Sequence, residues 1–130
     1  MNIVFRSDAS LASGSGHTMR CLTLAEQLRA RGAKVTFLQK RTHGDLISFL
    51  EEKGYRVYPL KPTDEEMNLN GTSSKQGELT RKSWQEDARQ TQEVLSGHLK
   101  KTDWLVVDHY ELDGKWEAQM RCHVRRIMVI

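Results

Sequence analysis

Five short apolar runs, separated by segments with helical spacing, leave this chain few folds to choose from. The runs are NIVFR (2–6), VTFL (35–38), YRVYPL (55–60), DWLVVD (103–108) and RIMVI (126–130). The second and fourth are continuous and rich in β-branched and aromatic residues, the pattern of strands buried on both faces. From His17 onward Met19, Leu22, Ala25 and Leu28 recur at helical spacing, and Gly32 supplies a stop. Asp45 can cap a short helix carrying Leu46, Ile47, Phe49 and Leu50, stopped by Gly54. Ser83 and Glu86 form a capping-box signature ahead of a face made by Trp84, Ala88, Thr91, Leu95 and Leu99. Asp113 can cap a further helix carrying Trp116 and Met120. Strands alternating with helices predict βαβ units, hence a Rossmann-like α/β fold with a parallel sheet and helices on both faces. The right-handed crossover rule restricts its winding to a few topologies.

Composition narrows the function classes. The 130 residues are 38% hydrophobic and 28% charged, which describes one globular domain with a core of its own. No apolar run approaches the roughly 20 residues that cross a bilayer, and no leader pattern opens the chain, so a cytoplasmic protein without a membrane partner is expected. Cys21 and Cys122 have no metal or redox spacing, and free thiols fit that compartment. The net charge of +3 is scattered, its densest clusters being Arg121, Arg125 and Arg126 and the pair Lys100–Lys101. Without interleaved aromatics or a nucleic-acid-binding motif these read as solvated helix faces, and no nucleic-acid partner is expected. Residues 61–82 are polar and poor in apolar periodicity, a long loop of the kind that closes over sites. The chain stops inside its last apolar run, which suggests the N-terminal half of a larger polypeptide.

Ligands of a doubly wound sheet bind beyond the carboxyl ends of its strands, where strand order reverses. The first such loop is SDASLASGSGH, and in a 3-2-1-4-5 order it would face DHYELD, after the fourth strand. Gly14 and Gly16 permit positive φ and close approach, and the helix that follows offers free N–H groups to an anion. A dinucleotide fingerprint would need a glycine where Met19 stands and an acid after the second strand, and both are missing; a Walker pattern is missing too. No NAD, ATP or other cofactor is therefore expected. What remains is a Gly-x-Gly-His loop. A histidine can take a proton from water near neutrality, and the positive end of a helix favours the neutral imidazole that a base requires. His17 could equally cap its helix. Asp108, His109 and Tyr110 would stand opposite, although an acid at the end of a buried strand often serves only neighbouring N–H groups. Two histidines without an i, i+4 pair or a cysteine cluster make a poor metal site. Arg6 and Arg20 read either as ion-pair formers or as anion contacts.

The blocks FRSDASLASGSGHTMRCLTLAEQL, DWLVVDHYELD and RIMVI together resemble the N-terminal half of the UDP-sugar hydrolases of pseudaminic acid biosynthesis, and related spore-coat polysaccharide proteins share the pattern. Those enzymes hydrolyse UDP-2,4-diacetamido-2,4,6-trideoxy-β-L-altropyranose. The resemblance spans nearly the whole chain and is weakest over 61–82. It implies a two-domain GT-B architecture, related to nucleotide-sugar glycosyltransferases but using water as acceptor. It assigns the catalytic base to His17 and the sugar-lining tyrosine to Tyr110, and places Ser7 and Asp8 in the matching loop pattern. Gly14, Gly16, Arg20, Asp108 and His109 complete the expected substrate-binding set. UDP contacts would belong mainly to a C-terminal domain of the same polypeptide. A nucleoside diphosphate leaves without protonation, so one base can suffice where glycosidases need two carboxylates. Attack opposite UDP would invert the anomeric centre. Two other readings stay open: a GT-B glycosyltransferase in which His17 deprotonates a sugar hydroxyl, and a non-catalytic sugar-nucleotide-binding module.

Overall fold

The computed structural model describes residues 1–62 and 76–130. Five parallel strands, β1 (Asn2–Ser7), β2 (Lys34–Lys40), β3 (Arg56–Leu60), β4 (Thr102–Asp108) and β5 (Val124–Val129), form one sheet in the order β3-β2-β1-β4-β5. Among the described residues four helices connect them: α1 (Gly16–Ala30), α2 (Ile47–Glu52), α3 (Gln76–Gly97) and α4 (Gly114–Met120). The expected α/β architecture is present, and the strand order is the 3-2-1-4-5 arrangement in which the loops after β1 and β4 would face each other.

The side-chain alternation of the strands divides the core in two. Ile3, Phe5, Val35, Phe37 and Val106 point to one face and meet Cys21, Leu22 and Ala25 of α1 and Leu50 of α2. Val4, Leu38, Leu105 and Val107 point to the other and meet Ala88 and Leu95 of α3 and Trp116 and Met120 of α4. A central parallel strand is buried on both sides for this reason, and apolar residues follow one another directly, as in Ile3–Phe5 of β1 and Leu105–Val107 of β4, rather than at alternate positions.

Two local expectations change. The inward face of α1 is Thr18, Cys21, Leu22 and Ala25, while Met19 is 41% exposed. The helix is turned by one position because Thr18 is drawn into a polar contact under the sheet edge. Helix α3 begins at Gln76, so residues 76–82 of the expected loop are helical and Ser83 lies within the helix rather than at its start. Residues 63–75 of the loop expected at 61–82, and the closure expected of it, lie outside the described residues. Asp113 does cap α4, accepting from the Lys115 N–H at 3.0 Å. Asp45 accepts from the Ile47 N–H at 3.1 Å at the start of α2.

Toward the carboxyl ends of the strands both faces turn polar. On the α1 face Gln39 donates to Thr18 Oγ1 at 2.9 Å, and Thr18 shares a 3.2 Å hydroxyl bond with Ser7. On the α3 face Arg6, wholly buried, pairs with the buried carboxylate of Asp87 and reaches Asp8 at 2.6 and 3.0 Å. Asp87 also accepts from Trp116 Nε1 at 3.0 Å and Thr91 Oγ1 at 3.2 Å, with Lys40 Nζ at 3.5 Å. Burial alone would raise both carboxylates. The Arg6 charge and its hydrogen bonds outweigh burial and hold Asp87 below the usual carboxylate range and Asp8 well below it.

Removing one partner of such a network strands a buried charge. Asp87→Ala should cost about 3–5 kcal/mol in urea melts, whereas replacing Arg6 and Asp87 together by apolar residues of similar volume should cost less than either single change. Because both carboxylates are depressed in the folded chain, their stabilisation is present above the unfolded value near 3.8 and is lost as pH falls through the folded values. Urea midpoints measured down to strongly acidic pH should drop in that range, and should drop less in the apolar double variant.

Candidate active site

The reversal of strand order between β1 and β4 sets two loops side by side, since Ser7 pairs in register with Asp108. The loop after β1 folds into a small ring in which Gly14 donates to Ser10 O at 2.8 Å, and Gly14 takes φ +80°, a backbone conformation that suits glycine. Gly16, by contrast, is the first residue of α1 and needs no positive φ. A Cβ at either glycine would meet nothing within 4 Å, so the space above this turn is open. The ring is tied to the loop after β2: the Leu11 N–H donates to His43 O at 2.8 Å, and Thr42 Oγ1 donates to Ala9 O at 2.9 Å.

A cleft of about 520 Å³ opens at this edge, walled by Asp8, Ser10, His17, Lys40, His43 and Tyr110 among others. His109 and Glu111 also line it; Ser7, Gly14, Gly16, Arg20 and Asp108 do not. Ser7 is fully buried against Thr18, so its expected place in a substrate contact shifts to a supporting one beneath the loop.

His17 Nδ1 lies 2.6 Å from Asp108 Oδ1, and Arg20 grips the same carboxylate through Nε at 2.7 Å and Nη2 at 2.8 Å. An ionised carboxylate only accepts, so Nδ1 carries the proton and donates. Arg20 Nη2 is also 3.3 Å from Nδ1, but two donors cannot bond each other, and its proton goes to Asp108. Among the described residues nothing bonds to His17 Nε2. Burial pushes the Asp108 carboxyl upward, and the bonds from Arg20 and His17 outweigh that and bring it below its ordinary value. The Tyr110 ring, 89% exposed, stands edge-on to His17 with centroids 4.6 Å apart. Arg20, left open between two readings by its sequence, is an ion-pair former here, and so is Arg6.

Sequence reasoning missed Asp87, Lys40, Gln39, Thr18 and the clamp at His43 and Gly44. Asp87 carried a signal: it is an acid on the apolar stripe of α3, matched by an arginine within an otherwise apolar strand. Among the described residues no cluster of three or more metal-ligating side chains occurs. No described helix is long and apolar enough to cross a membrane.

No protein-family model matches the chain, and no curated protein does. Among solved structures it is similar to the crystal structure of Acinetobacter baumannii MurG, with a TM-score of 0.58 and 15% identity over 98% of this chain. It covers 34% of that protein, about a third of its length. The likeness is one of fold: a Rossmann-like sheet built as the N-terminal half of a GT-B-type fold.

Gly44 tests the loop clamp. It has φ +84°, and a Cβ there would lie 2.7 Å from the Leu11 backbone nitrogen. Gly44→Ala should therefore lower stability by about 1–3 kcal/mol in thermal or urea melts and shift the amide resonances of residues 10–14. Unmoved resonances would show that the ring does not depend on this contact.

Proposed function

We propose that this chain is the N-terminal domain of an enzyme that hydrolyses a UDP-activated diacetamido-trideoxy sugar, in pseudaminic acid or related surface-glycan biosynthesis. The observation that carries the reading is the orientation of His17: Nδ1–H is held by Asp108, and Nε2 is left uncommitted beside an open cleft. This is the arrangement of a general base whose tautomer is fixed by a carboxylate. Water donates its proton to Nε2 while its oxygen attacks C1. The C1–O bond to the β-phosphate breaks and UDP leaves with the electron pair. The attack comes from the face opposite UDP, so the anomeric configuration inverts. Arg20 keeps Asp108 ionised, so the carboxylate orients the imidazole and offsets its developing charge without itself taking the proton. Tyr110 and Asp8 would bound the sugar. The nucleotide would be held mainly by a second domain C-terminal to this one.

The likeness of fold to MurG supports a second reading. An acceptor hydroxyl could occupy the place of water, making the enzyme a GT-B glycosyltransferase with the same base.

UDP release by the full protein from its UDP-sugar should fall by about 10²–10⁴-fold in His17→Ala at unchanged folding, the usual weight of a general base. Asp108→Asn should lower it at least about 10-fold, because the amide no longer fixes the tautomer. Free sugar plus UDP as products supports hydrolysis; a new glycosidic bond supports transfer. Binding that survives His17→Ala, with no turnover in the parent protein, would leave only a sugar-nucleotide-binding module.

A further inference from the structure

The cleft contains a second histidine whose ring is used quite differently. His109 Nδ1 lies 3.1 Å from the Glu111 backbone nitrogen, which can only donate, so Nδ1 must be the unprotonated acceptor. Its proton is then on Nε2, 2.9 Å from Asp8 Oδ2, where it donates. Asp8 is a fixed target. Arg6 holds both of its oxygens, and the Lys40 N–H donates to Oδ1 at 2.9 Å. Both ring nitrogens of His109 are thus occupied, and the ring and its partner are only 14% and 17% exposed. No ring nitrogen is left to take a proton from substrate.

We propose that His109 is a positioning residue: a neutral strut, fixed as the Nε2–H tautomer, that ties the loop after β4 to Asp8 and the buried Arg6 network. Its neighbours in the chain are Asp108, which orients His17, and Tyr110, which stands against the His17 ring. The strut sets the distance between the loop that leads from β1 into α1, where the base His17 stands, and the end of β4, which carries its orienting carboxylate. The kinetic consequence rests on the hydrolysis proposed above; the tautomer does not.

Two measurements on the full protein separate these. Long-range ¹H–¹⁵N correlation spectra should show His109 as the Nε2–H tautomer at neutral pH, unchanged when the UDP-sugar is added. An Nδ1–H tautomer would overturn the strut, because it could not accept from Glu111. A tautomer change on adding substrate would overturn it too, since the ring would then be a contact. In turnover, His109→Ala should lose on the order of 10- to 100-fold in kcat with little change in KM, the effect of a misplaced base. His109→Gln, whose amide can still donate to Asp8, should recover part of the loss. A raised KM with unchanged kcat, or no effect at all, would overturn the proposal. Should the alanine variant fail to fold, the glutamine variant and the wild-type tautomer decide. Should the wild-type protein release no UDP, the hydrolase reading fails, and the strut still stands or falls on the tautomer.

Discussion

An arginine with no exposed surface sits in the central strand of this sheet, and the architecture of the cleft edge follows from satisfying it. Arg6 lies in register between Leu38 and Val107 and cannot be left unpaired there. A buried guanidinium without partners would cost several kcal/mol. Asp87 from α3 supplies one carboxylate and Asp8, two residues along the chain, supplies the other. The first fixes α3 and, through Trp116 Nε1, α4 against the sheet. The second fixes the beginning of the loop that carries the glycine ring and, beyond it, His17. One buried cation thereby links the packing of two helices to the geometry of the cleft.

The two histidines of the cleft show how partners assign roles to identical side chains. His17 has one nitrogen on a carboxylate and the other uncommitted, whereas His109 has one on a carboxylate and the other on a backbone N–H. The carboxylates differ as well. Asp108 is shared with Arg20, whose side chain is 54% exposed at the surface, while Asp8 is shared with the buried Arg6. In the proposed reaction the first pair handles the proton of water and the second keeps its geometry from drifting.

Much of the fold was legible because its signals are local and repeated. Strand positions came from continuous apolar runs such as VTFL, and the stop at Gly32 corresponds to a φ of +91° that few other residues adopt. The pairing of the loops after β1 and β4 followed from strand order. What the sequence hid was long-range. Thr18 faces inward only because Gln39 and Ser7 await it, so a reading by apolar periodicity turned α1 toward Met19 instead. The start of α3 at Gln76 lies in a stretch without apolar periodicity, where helix and loop read alike. The Gly-x-Gly-His loop and the DHY stretch drew attention to His17 and Tyr110, and the resemblance gave them roles, but the bonds made by Asp108 and His109 depend on contacts some 90 to 100 residues apart in sequence, which no spacing rule reaches.

The most direct test of His17 as the base that turns water on the sugar is turnover of the UDP-sugar in H₂¹⁸O, with early ¹H spectra of the product. Cleavage of the C1–O bond leaves UDP unlabelled, and the first sugar anomer seen should be inverted relative to the substrate. Label in the β-phosphate of UDP, or a retained anomer, would contradict attack at C1 by a water that His17 activates.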